Sequence, residues 1–119
     1  MPMMIKKYDI VIVDLKPTKG SEQQGVRPCL VVQNDEANAR SRTTVVCSFS
    51  SAIKLYPHKM KVFPSELNGL SVESCLDLLQ IRTIDVMRIH NKIGVLDPCY
   101  QTELRERFMI AFDLDDLLS

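Results

Sequence analysis

Between Asp9 and Asp14 the chain runs Ile10-Val11-Ile12-Val13, four β-branched residues with no polar position among them. Such side chains are stiff at χ1 and suit a pleated surface, so Tyr8–Leu15 is predicted to be a strand. The unbroken apolar run marks it as buried. Pro17 stops it, because proline cannot donate to a ladder. A polar segment follows as far as Arg27, and its Gly20 and Gly25 permit positive φ and close backbone approach to a ligand. Pro28 opens a second predicted strand, Cys29–Gln33, which Asn34-Asp35 breaks. Residues 36–42 are small and polar, a loop or a short helical turn. Thr43–Phe49 repeats the β-branched pattern. The loop from Ser50 to His58 leads to Lys59–Phe63, where initial polar–apolar alternation marks a half-exposed strand. Pro64–Leu70 reads as a turn, and Ser74–Ile81 and Asn91–Leu96 as two more strands. Thr83 is the expected cap of a single helical turn, with Asp85 near its positive end. Asp97-Pro98 is a helix start. Beyond it Leu104, Phe108, Ala111 and Phe112 recur at i, i+4, i+7 and i+8, giving one apolar helix face. The expected fold is mainly β with a C-terminal α-helix, a small and strongly bent sheet or barrel. If the loops after the first and third strands share a rim of that sheet, Arg27 and Ser50 meet there.

The length, 119 residues, fits one domain over 1–119 with its own core. At 45% hydrophobic and 25% charged, the composition is that of an ordinary soluble protein. No apolar run approaches the ~18–20 residues of a membrane helix. The segment MPMMIKKYD carries no small-residue cleavage site, so a cytoplasmic location and no membrane association are expected. The four cysteines stand singly, without CxxC spacing, as small hydrophobes of a reducing compartment. His58 and His90 are too few and too far apart for a zinc site, and neither metal nor cofactor is expected. Net charge is zero, which alone argues against a nucleic-acid partner. Its distribution changes that picture: residues 1–61 hold ten Lys/Arg against five Asp/Glu, and residues 62–119 the reverse. One basic face on a neutral molecule fits such an asymmetry.

Arg27 carries a permanently charged planar guanidinium that matches phosphate oxygens in pairs; a surface arginine bonded to Glu22 would look the same. Ser50 and Ser51 stand where a strand ends, able to donate to a phosphate or a ribose hydroxyl, or simply to form the turn. Glu22 is a proton acceptor or a brace for its loop. His58 has the pKa of a proton carrier but reads equally as an exposed bystander, and Gln80 near Arg82 is a ligand contact or a strand-end hydrogen bond. No GxSxG, P-loop, GxGxxG or HExxH is present.

The stretches DIVIVDL (9–15), PTKGSEQ (17–23), GVRP (25–28) and LVVQND (30–35), followed by QIRTID (80–85) and KIGVLD (92–97), together resemble the MazF/PemK family of toxin endoribonucleases. The resemblance runs over nearly the whole chain in order. It implies an SH3-like barrel, a homodimer, and metal-independent cutting of single-stranded RNA. There the ribose 2′-hydroxyl attacks the adjacent phosphorus to leave a 2′,3′-cyclic phosphate and a 5′-hydroxyl. It implies a cognate MazE-like antitoxin with an acidic tail. It carries the family's arginine onto Arg27, its strand-end hydroxyl onto Ser50 and its acid onto Glu22. RNA contacts are then expected from Lys16, Thr18, Lys19, Gly20, Ser21, Gln23, Gln24, Ser51, Lys54 and Gln80. Guanidinium is not deprotonated in proteins, so Arg27 fits stabilisation of the pentacovalent phosphate and leaves the general base unassigned. Three positions depart from the pattern: Tyr8 and Gln24 stand where small residues are usual, and Ser50 lacks the threonine methyl. Two other readings remain open: a gyrase poison of the related CcdB type, disfavoured by the absence of Trp, and an RNA-binding module with weakened nuclease activity.

Overall fold

The computed structural model describes residues 4–16 and 25–114. Six strands, β1 (Asp9–Asp14), β2 (Val26–Val31), β3 (Thr43–Ser50), β4 (Lys59–Val62), β5 (Ser74–Asp85) and β6 (Ile89–Val95), form one antiparallel sheet in the order β4-β5-β3-β2-β1-β6. Helix α1 (Asp35–Arg40) joins β2 to β3, and α2 (Gln101–Ala111) closes the described chain after a 3-10 turn at Pro98–Tyr100. The implied barrel is present as an open sheet: β4 and β6 are its edges and are not hydrogen-bonded to each other.

Two cores explain the apolar run of β1. Ile10 joins Leu30, Phe49, Leu76 and Leu78 on the face covered by Leu104 of α2. Val11, Val13 and Leu15 join Cys29, Val31, Val46 and Ile84 on the other. A strand buried on both faces needs apolar residues at successive positions rather than alternate ones. Along β3, two steps from Cys47 to Phe49 are matched by five on β5, from Ile81 to Leu76. This irregularity kinks β5 and exchanges its faces, so that Leu76 and Leu78 face one core while Ile84 faces the other.

All six predicted strands are present, with different ends. β2 begins at Val26 rather than after Pro28, because Val26 and Arg27 already pair with Asp14 and Val13. β5 runs on to Asp85. Thr83 therefore lies within the strand opposite Val45, and Asp85 caps the 3-10 turn Val86–Arg88 by accepting from Met87 N at 2.8 Å. Cys29, Cys47 and Cys75 are buried free thiols as expected, whereas Cys99 is exposed.

Asp97 does not cap the helix with its side chain. It accepts instead from Ser65 Oγ at 2.6 Å and from Asn68 Nδ2 at 2.8 Å. Burial pushes its carboxyl up, but these bonds outweigh that effect and leave it below the ordinary carboxylate range. A carboxylate held low in the fold stabilises it above the unfolded value of about 3.9, and the contribution disappears as pH falls through the folded value. Asp97→Asn is therefore expected to melt below the wild type at neutral pH, with the gap narrowing as pH falls below the unfolded value of about 3.9. Thermal melts across that range check it; a gap independent of pH would contradict it.

Candidate active site

Pro28 opens the site. Val32 N donates to Val45 O at 2.9 Å, which makes 32 and 45 a hydrogen-bonded pair between β2 and β3. Such pairs recur every second residue in an antiparallel ladder, so the ladder calls next on Leu30 with Cys47 and then on Pro28 with Phe49. Pro28 has no N–H to give, and the β2–β3 pairing ends at Cys29 opposite Ser48. On its other edge β2 continues to pair with β1 through Arg27 and Val26. The strands part where this register, continued two steps, would set Arg27 across from Ser50.

The gap is a groove of about 420 Å³. Arg27 and Pro28 line it from β2, Ser50 and Ser51 from the end of β3, Ser71 and Val72 from the turn leading into β5, and Ser74 from the start of β5. Ser50 pairs with Cys75 on β5, and its hydroxyl oxygen accepts from Ala52 N at 3.1 Å. That bond orients the hydroxyl and leaves its proton for another acceptor. Arg27 is half-buried, so its charge is not fully hydrated. Beneath it, burial pushes the Cys29 thiol up to about 12, although Arg82 and Arg27 both pull the other way. Cys29 is thus a neutral filler beside two cations and not a nucleophile.

The remaining sequence-predicted residues are distributed unevenly. Lys16 is exposed at the end of β1. Lys54 is exposed in the segment after β3, outside the groove lining. Gln80 lines a separate groove of about 470 Å³ with Arg82 and Thr83. His58 is half-buried rather than exposed and stacks on Tyr56, ring centroids 5.5 Å apart. Thr18, Lys19, Gly20, Ser21, Glu22, Gln23 and Gln24 lie outside the described residues. A larger cavity of about 540 Å³ lies between α2 and the sheet, lined by Tyr8, Val32, Phe108 and Phe112. It contains neither Arg27 nor Ser50.

Sequence reasoning missed Arg82 and Arg88. Arg82 Nη1 donates to Leu15 O at 3.1 Å. Arg88 Nη1 donates to Asp14 O at 3.4 Å and to Lys16 O. Both reach the end of β1 from more than sixty residues away. The signal for Arg82 is its two-residue spacing from Gln80 and Ile84, which a strand ending at Ile81 conceals. Ser71 and Val72 gave no signal, since only the tertiary fold brings their turn to the groove.

Residues 6–112 match the model of a family described as PemK-like, MazF-like toxins of type II toxin–antitoxin systems. Endoribonuclease EndoA of Bacillus subtilis (strain 168) is 37% identical over 116 residues, which span 96% of this chain and 99% of EndoA. Among solved structures, MazF of Deinococcus radiodurans superposes with a TM-score of 0.77 at 21% identity, covering 93% of this chain and 98% of that one. A mycobacterial endoribonuclease in complex with its cognate antitoxin gives 0.77 at 16% identity, over 92% and 96%. At such identities the structures speak for the shared fold.

Proposed function

Because the chain belongs to the family of PemK-like, MazF-like toxins of type II toxin–antitoxin systems, we propose that it is an endoribonuclease that cuts single-stranded RNA in the groove between Arg27 and Ser50. The observation that carries this reading is the interrupted β2–β3 ladder, which leaves a guanidinium and an oriented hydroxyl lining one groove.

In the proposed reaction the ribose 2′-oxygen forms a bond to the neighbouring phosphorus and gives its proton to a base. The bond from phosphorus to the 5′-oxygen breaks, and that oxygen takes up a proton. The products are a 2′,3′-cyclic phosphate and a 5′-hydroxyl, and no water is consumed. Negative charge grows on the phosphate oxygens in the pentacovalent transition state, and a preorganised cation lowers its energy more than that of the bound substrate. Arg27 takes this role. Ser50 donates to a phosphate oxygen or holds the attacking hydroxyl. Glu22 is the proposed base or brace of the site, and no cofactor is assigned. Lys16, Thr18, Lys19, Gly20, Ser21, Gln23, Gln24, Ser51, Lys54 and Gln80 are the proposed RNA contacts.

A toxin of this kind acts on cellular RNA in the cytoplasm, as a homodimer silenced by an antitoxin whose acidic segment covers the basic groove. Ser50→Ala is expected to lower kcat about 100-fold, the loss of one transition-state donor, whereas Ser50→Thr keeps activity because the hydroxyl remains. Cleavage assays on a single-stranded oligonucleotide test both. Equal activity of the alanine and threonine variants would remove Ser50 from the site, and RNA binding without any cut product would favour a module that has lost its nuclease step.

A further inference from the structure

β1 loses its outer partner just before the site. Its pairing with β6 ends at Val13 opposite Ile89. Leu15 N donates to Gly25 O at 2.9 Å, so residues 13 and 15 turn their hydrogen-bonding groups towards β2. Those of Asp14 and Lys16 turn the opposite way, where β6 has ended, and Arg88 donates to both carbonyls. Arg82 takes the carbonyl between them, on Leu15. Three successive carbonyls at the end of β1 are thus held by two guanidiniums from elsewhere in the fold. Both donors have fixed bases. Arg82 stands opposite Val46 on β3, and Arg88 ends the 3-10 turn capped by Asp85.

The consequence concerns Arg27. From Val26 to Pro28, β2 has no ladder with β3, and its strand pairing is with β1, through Arg27 opposite Val13 and Val26 opposite Asp14. Any slack at the end of β1 therefore passes to Arg27. Ser50 belongs to the β3–β5 half of the sheet, the half that supplies Arg82. We propose that Arg82 and Arg88 are positioning residues that clamp the end of β1 and thereby set the place of Arg27 relative to Ser50 for RNA cleavage. The proposal rests on the proposed endoribonuclease function. A lysine in either place keeps the charge but offers a point-like donor instead of a planar fork, so it restores the clamp only in part.

Steady-state cleavage of one single-stranded RNA oligonucleotide by the wild type and by Arg82→Ala, Arg88→Ala, Arg82→Lys and Arg88→Lys tests it, with melting curves recorded for each. A displacement of about 1 Å can cost about 100-fold in rate. The alanine variants are expected to lose about 10- to 100-fold in kcat, with KM within about twofold of the wild type and intermediate kcat for the lysine variants. Should an alanine variant fail to fold, its lysine counterpart decides. Raised KM with unchanged kcat would overturn the clamp in favour of direct RNA contact. A lowered melting temperature with unchanged kcat would reduce the two arginines to structural braces, and wild-type values throughout would leave them no role. Absence of cleavage by the wild type would instead overturn the endoribonuclease function itself.

Discussion

Replacing Arg27 by alanine is expected to lower RNA cleavage by at least about 1000-fold while the protein stays folded. The two halves of that expectation have separate causes. A guanidinium lining the groove faces charge that grows as the pentacovalent phosphate forms, and a permanent cation needs no reorganisation to meet it. Its contribution appears in kcat more than in KM, because the ground-state phosphodiester already carries one negative charge and the transition state carries more. Arg27 holds its place in β2 through backbone pairing with Val13, which alanine preserves, so the variant is expected to fold. Arg27→Lys keeps the charge without the paired donors and is expected to fall between wild type and alanine. Single-turnover cleavage and a melting curve on the same preparations check both halves. Full activity in the alanine variant would remove Arg27 from the chemistry.

A large loss of stability is expected of Gly94→Ala. A Cβ at this position would stand 2.4 Å from Leu67 O and from Asn68 C, and 2.5 Å from Asn68 O. All three are backbone atoms, so no side-chain rotation relieves the contact. The 65–70 turn would have to lift off β6. That turn is held by Asn68, which is fully buried, accepts from Ser65 N and Leu70 N, and donates to Phe63 O and Asp97. Val95 N also donates to Leu67 O at 2.9 Å. Moving the turn strains or breaks these bonds in a place without water to replace them. A loss of about 3 kcal/mol or more is expected. Denaturant titration reads it as a lower midpoint at unchanged slope; a midpoint equal to the wild type would contradict the packing described.

Much of the fold is legible in the sequence, because strand burial leaves a direct mark on residue type. Ile10 lies in one core and Val11 and Val13 in the other, and the β-branched run shows it, with Ile12 half-buried between them. Lys59–Val62 is half-covered, and its alternation shows that too. The ends are less legible. Pro28 reads as a strand start, yet it lies within β2, since proline disables only one edge of a strand and the edge facing β1 remains in use. β5 reads as ending at Ile81 because the kink opposite Cys47 and Phe49 switches its apolar phase. A period-two pattern that changes face midway looks like a pattern that stops.

For the site, residue chemistry and family resemblance point to Arg27 and Ser50, and the fold brings both to one groove. Arg82 and Arg88 carry no such mark, because a guanidinium that meets backbone carbonyls leaves no partner residue type to recognise in the sequence. The same holds for the Ser71–Val72 wall. Where recognition runs through the backbone, sequence spacing carries little information.

How RNA is cut is reported most directly by the chemistry of the new ends. Single-stranded RNA is incubated with the purified protein in excess EDTA, and both termini of the products are mapped. Cleavage at discrete sites, leaving 2′,3′-cyclic phosphates and 5′-hydroxyls that polynucleotide kinase labels without prior dephosphorylation, is the expected result. Products ending in 3′-hydroxyls and 5′-phosphates, or cleavage that stops when EDTA is added, would contradict attack by the 2′-hydroxyl in a groove built on Arg27 and Ser50.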